Sequence, residues 1–200
     1  TPQSYDLVDG TSIVQLSLRK GILLEGLSYT FELRARYSTV LSNEKAIASV
    51  TIVMNEAPTG GSLAVSPTTG DALNTTFFFQ TSGWTDDPDD YPLSYVFSYY
   101  VSRPFSQMVV KTASELTYGE ATMGQGKTGS GAVYCVANAT DSYGATGTTT
   151  NSDIRVFPIE NLEDLSNIAT DTMAQALVDD DATALNNVVT AVTSSLNAAN

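Results

Sequence analysis

The sequence predicts a mostly β fold: sandwich-type β modules followed by a short pair of C-terminal helices. Three observations predict it. Residues alternate with period two in several runs; Tyr95, Phe97 and Tyr99 fall on one face, with Val96, Ser98 and Tyr100 on the other. That is the pattern of a strand with two unlike faces. Thr, Ser, Gly and Asn crowd the spaces between such runs, as in sandwiches with many turns. After Pro158 the period changes: Leu162, Leu165, Ile168/Ala169, Met173 and Ala176/Leu177 recur every three or four residues, an amphipathic helix.

Taken in order, the first expected strands cover 13–18, 29–37 and 46–54. A second set begins at 61–65, closed by Ser66-Pro67, and continues at 75–81. Its third strand covers 94–101, ending before Arg103-Pro104, and a fourth lies near 107–112. The glycine-rich interval 119–131 reads as loop or edge. The last hairpin joins 132–139 to 148–157 through Asp141-Ser142-Tyr143-Gly144. Asn161 is the expected N-cap of the first helix, with Asp164 three positions on. Asp179-Asp180-Asp181 interrupts the pattern, and Asp181 is placed to cap a second helix carrying Leu185, Val188, Val189, Val192 and Leu196. Helices with narrow apolar stripes need a neighbour, so the expected arrangement is an αα-hairpin packed on the sandwich.

Two stretches look alike. Gly26-Leu27-Ser28-Tyr29 opens an alternating run, as Gly131-Ala132-Val133-Tyr134 does, and each is followed about two dozen residues later by a second strand-like run. Tyr29 and Tyr134 are 105 positions apart. One immunoglobulin-like or fibronectin-III-like sandwich takes roughly 100 residues, so such modules are the expected architecture. Residues 1–54 then read as the later strands of an incomplete sandwich, 55–157 as a complete one, and 158–200 as a helical hairpin or linker. Three strands with one apolar face need more chain or a neighbour to cover it.

Lys and Arg number 9 against 22 Asp and Glu, a net charge of −13, and the sequence pI is near 4.1. That field repels nucleic acid and anionic lipid, which excludes both as partners of this segment. Histidine is absent. The usual general base, the imidazole metal ligand and any His-dependent triad go with it, so the expectation is no enzyme. Cys135 is the only cysteine and sits in a strand-like run, where a buried, inert thiol is expected. Asn74-Thr75-Thr76 and Asn138-Ala139-Thr140 are glycosylation sequons compatible with secretion, making Asn74 and Asn138 candidate glycan sites.

Asp86, Asp87, Asp89 and Asp90 surround Pro88 in one loop that opens onto a strand. Dense carboxylates suit calcium, a hard cation that takes several oxygen ligands. The candidate metal set is therefore these four aspartates with Asp141 from the facing hairpin turn; the bland alternative is a solvated acidic loop. Ala121-Thr122-Met123-Gly124-Gln125-Gly126-Lys127-Thr128 satisfies a relaxed phosphate-loop pattern, but a strand rather than a helix follows, so nucleotide binding is rejected. Trp84 reads as a core anchor rather than a sugar-stacking platform.

A family comes into view from an ordered string: Asn55-Glu56-Ala57-Pro58-Thr59-Gly60-Gly61, Val65-Ser66-Pro67-Thr68-Thr69-Gly70, Ala72-Leu73, Gly83-Trp84-Thr85-Asp86-Asp87 and Asp90-Tyr91-Pro92-Leu93-Ser94-Tyr95. This string resembles the receptor-for-egg-jelly (REJ) region of polycystin-like receptor ectodomains, over about residues 26–157. The resemblance implies a train of fibronectin-like sandwiches in a large surface protein on the extracellular side of a plasma, ciliary or flagellar membrane. It also implies other protein modules as partners, with a polycystin channel subunit among them. The expected function is a non-catalytic structural or adhesive module of a ciliary, flagellar or gamete surface, with calcium as the candidate cofactor. The alternative is a carbohydrate-binding accessory module of a secreted adhesin or enzyme.

Overall fold

The computed structural model describes residues 3–6, 12–36, 45–102, 107–159 and 161–198. Tyr37, the end of the expected strand 29–37, and Arg103-Pro104, the expected stop after strand 94–101, lie outside them. The chain divides into two compact units, 1–56 and 57–200.

The first unit holds two antiparallel pairs. Strand β1 (Gln3–Asp6) pairs with β2 (Ser12–Gln15), and β3 (Ser28–Arg36) with β4 (Lys45–Val53). In the β3–β4 register Tyr29 lies opposite Ile52, Phe31 opposite Val50 and Leu33 opposite Ala48. Residues opposite one another in an antiparallel pair share a face, so one face of this ribbon is apolar. The other carries Thr30, Glu32 and Arg34, with Thr30 and Thr51 hydroxyls 2.9 Å apart and Glu32 paired with Arg34. Leu33, Val50 and Ile52 are exposed on the apolar side.

The second unit contains a two-layered β core. Strands β5 (Ser62–Ser66), β7 (Thr76–Ser82) and β10 (Tyr118–Thr122) form one sheet, in the order β10-β7-β5. The other holds β6 (Thr69–Asp71), β12 (Thr146–Phe157), β11 (Ala132–Thr140), β8 (Ser94–Tyr100) and β9 (Met108–Ser114), in the order β6-β12-β11-β8-β9. All its pairs are antiparallel except β6 with β12. Alternation puts Leu63, Val65, Phe77 and Phe79 from the first sheet into the same buried cluster as Phe97, Tyr99, Val133, Cys135, Ile154 and Val156 from the second. The Phe79 and Phe97 rings meet 5.9 Å apart, centre to centre. Asn151 on β12 reaches across and donates to the Leu63 carbonyl at 3.1 Å. Each fully buried Phe contributes roughly 1.5–3 kcal/mol, so this cluster is the main source of stability in the unit.

Two 17-residue helices follow, α1 (Leu162–Val178) and α2 (Ala182–Ala198). The Asn161 side chain accepts from the Glu163 amide at 2.9 Å, and Asp181 accepts from the Ala184 amide at 2.9 Å, so each N-terminus has its side-chain cap. Leu165 and Ala169 from α1, Val188 from α2 and Leu73 form a second buried cluster, and α2 lies against β9. Leu73 takes a left-handed backbone, φ 60°, an uncommon state for a leucine, and is buried by the helices.

The expected strand near 107–112 runs on to Ser114, and the interval 119–131 begins with the edge strand β10. The reading of that interval as loop or edge left its strand unplaced, because Gly119 supplies no side chain to the alternation. Strand β6, three residues long and paired in parallel, is too short to show a period.

Candidate functional site

The acidic loop leaves β7 through Gly83 and Trp84. Thr59 and Thr85 exchange two backbone hydrogen bonds at 2.9 Å, which ties the loop's start to the beginning of the unit. The Trp84 Nε1 donates to the Thr81 hydroxyl at 2.7 Å. Its ring occupies the space a side chain would need at Gly61, where an added Cβ would fall 2.1 Å from the ring. Gly147 is equally tight, with the Pro58 carbonyl oxygen 1.9 Å and the Trp84 ring 2.8 Å from such an atom. Trp84 packs against the main core cluster. This is how its string of glycines and one tryptophan works: the glycines clear the space the indole fills.

A 3₁₀ turn, Pro88–Asp90, follows, and the Asp90 amide donates back to the Asp87 carbonyl at 3.0 Å. The Asp90 carbonyl then accepts from the Ser142 amide at 2.9 Å, which draws Asp90 onto the turn between β11 and β12. That turn is organised by Asp141, whose Oδ1 accepts from the Tyr143 and Ala145 amides, each at 2.9 Å.

The geometry gathers Asp86, Asp90 and Asp141: an oxygen from each lies within 4.8 Å of the others. Asp90 and Asp141 are each 6% exposed. Asp86 Oδ1 accepts from the Asp87 amide at 2.9 Å, while its Oδ2 is buried with no hydrogen-bond partner. Burial first, then the charges of Asp86, Asp87, Asp141 and Asp89, raise the Asp90 carboxyl above the ordinary carboxylate range. Asp87 and Asp89 do not join the trio. Both are exposed on the turn, because the contact to Ser142 that draws Asp90 inward is made by that residue alone among the four. Of the five aspartates expected from the sequence, the geometry brings together Asp86, Asp90 and Asp141.

The other expected sites fall elsewhere. Cys135 is fully buried, 4.0 Å from the Met123 sulfur, and burial pushes its thiol up to about 12. Asn74 is exposed in the turn after β6, whereas Asn138 is half-buried on β11 and its Oδ1 accepts from the Thr148 hydroxyl at 2.9 Å. In the phosphate-loop-like stretch, the Gly124 amide donates to the Tyr99 hydroxyl at 2.8 Å and the Gly126 amide to the Val156 carbonyl at 2.9 Å. Those amides serve the core, and strand β11 follows instead of a helix. A cleft of about 650 Å³ between Asp71, Asn74, Phe157, Asn161 and Asp164 was not legible in the sequence, since it exists only once α1 packs beside β6.

Two β sheets sharing one core, followed by two helices, make the second unit a mostly β module with a short helical end. The chain belongs to the REJ domain family, whose sequence profile matches residues 2–191. It is also similar to Polycystin-1 of Homo sapiens, with 37% identity over 84 residues. That alignment covers 40% of this chain and 2% of Polycystin-1, so the chain spans a small part of that relative's length.

Proposed function

We propose that this chain is a non-catalytic extracellular module of a polycystin-like surface protein, and that it joins protein modules into an assembly. The match to the REJ domain over residues 2–191 carries this reading. The arrangement of the second unit supports it. If β5, β7, β8, β9, β10, β11 and β12 are lettered A, B, C, C′, E, F and G, the sheets read E-B-A and C′-C-F-G. With β6 as an added strand beside G, that order supports reading the unit as an immunoglobulin- or fibronectin-III-like sandwich, a fold that serves as a spacer in many surface proteins.

The surface of contact in this reading is the apolar face of β3–β4. Leu33, Val50 and Ile52 there are 51%, 57% and 42% exposed, and a two-stranded ribbon is marginal without cover. A neighbouring module of the same ectodomain fits that face, and a polycystin channel subunit is the partner of the finished assembly. The exposed Asn74 fits a glycan better than Asn138, whose amide is held within the sheet.

The carbohydrate-binding alternative needs an exposed aromatic platform; Trp84, packed between Gly61 and Gly147, does not supply one, and the exposed stacked pair Phe78 and Tyr118 is where it would lie. The test compares wild type with Leu33→Ser/Val50→Ser/Ile52→Ser in the full surface protein. Loss of hydrogen-exchange protection on β3–β4 where the neighbouring module covers it, followed by weaker association with the polycystin subunit at normal surface delivery, is the expected outcome. Unchanged association together with selective binding on a glycan array would replace this reading with the alternative.

A further inference from the structure

We propose that Asp86, Asp90 and Asp141 bind one calcium ion that fastens the 86–90 turn to the turn between β11 and β12. The proposal stands apart from the assembly reading above, since it concerns only residues of the second unit. Three aspartate oxygens within 4.8 Å of one another suit a single ion, because ligands on opposite sides of calcium at 2.3–2.6 Å lie about 4.6–5.2 Å apart. The donors are all carboxylate oxygens, the choice of a hard cation rather than of zinc or copper.

Two further observations favour a cation at this cluster. Asp86 Oδ2 is buried and accepts no hydrogen bond. Asp90 as a residue is only 6% exposed, and the carboxylates of Asp86, Asp87, Asp141 and Asp89 all act on it. An ionised carboxylate buried beside two others without a cation is costly, and a divalent ion removes that cost. Asp141 is suited to the role for another reason: two backbone amides fix its Oδ1, so its carboxylate is preorganised. Water and backbone carbonyls would complete the shell. Bound in this way, calcium would couple the loop before β8 to the β11–β12 turn and stiffen that end of the module.

The test uses the whole 200-residue chain, stripped with EGTA and then titrated with CaCl₂ or MgCl₂. At calcium about tenfold above its dissociation constant the expected rise in Tm is about 3–6 °C, with one ion bound per chain by calorimetry. Asp87→Asn/Asp89→Asn keeps that rise. Asp86→Asn/Asp90→Asn abolishes it and, in EGTA, melts no lower than wild type, because like charges have been removed. Asp141→Asn, which keeps the Oδ1 acceptor of the turn, also loses calcium binding by calorimetry. A wild-type Tm indifferent to calcium, an equal rise with magnesium, or a rise retained in Asp86→Asn/Asp90→Asn overturns the assignment.

Discussion

Trp84 needs Gly61 and Gly147 for different physical reasons. At Gly61 the obstacle is the indole ring itself, whereas at Gly147 it is the Pro58 backbone carbonyl, which no rotamer change can move aside. Gly61→Ala should therefore cost about 1–3 kcal/mol by overpacking, and Gly147→Ala more, both read from urea unfolding midpoints. Cys135 offers a second residue-scale test. Its thiol ionises near 12 when folded against an ordinary 9.0, so above pH 9 the unfolded chain releases this proton first. The stability this group contributes is full below pH 9 and is lost as pH rises toward 12. Tyr99, pushed by burial from 10.0 to about 12, acts in the same sense from pH 10 upward. Cys135→Ala should flatten the loss of Tm between pH 9 and 10; an unchanged slope would show that the thiol is not buried as described. The tryptophan's role as a core anchor was legible in the sequence, but its glycine partners lie 23 and 63 positions away and become partners only through packing.

At the scale of elements, strands and helices with a clear period were readable and short or unusual ones were not. The helix ends could be read because a cap is a local interaction: Asn161 and Asp181 bond amides two and three residues away. What the helices pack on was not legible, since Leu73 reaches them from a left-handed turn that leucine rarely adopts. Leu165→Ala should cost about 2–5 kcal/mol if α1 is part of the same cooperative unit as the sandwich. A loss confined to helical ellipticity, with the aromatic core signal unmoved, would instead make the helices an independent appendage. The acidic loop shows the same division. Its composition named the candidates, but one backbone bond from Ser142 to Asp90 selects which of them meet Asp141.

For the whole molecule, a net charge of −13 and an all-oxygen carboxylate cluster make cations the natural small ligands. Membership of the REJ family was readable from an ordered string of turn and core residues, because those residues carry the packing of Trp84 and the acidic turn. The assembly role was not readable at that level of detail, since the exposed apolar ribbon of the first unit names a surface and not its occupant. The central structural claim is that residues 57–200 form one cooperative body, in which two sheets share an aromatic core and the helix pair is docked on it. Native-state amide hydrogen exchange on the full chain tests it most directly. The account predicts the strongest protection on β7, β8, β11 and β12, with α1 and α2 amides near Leu165, Ala169 and Val188 opening in the same global transition. Helical amides exchanging at unprotected rates, or protection concentrated in the helices while those strands exchange freely, would contradict it.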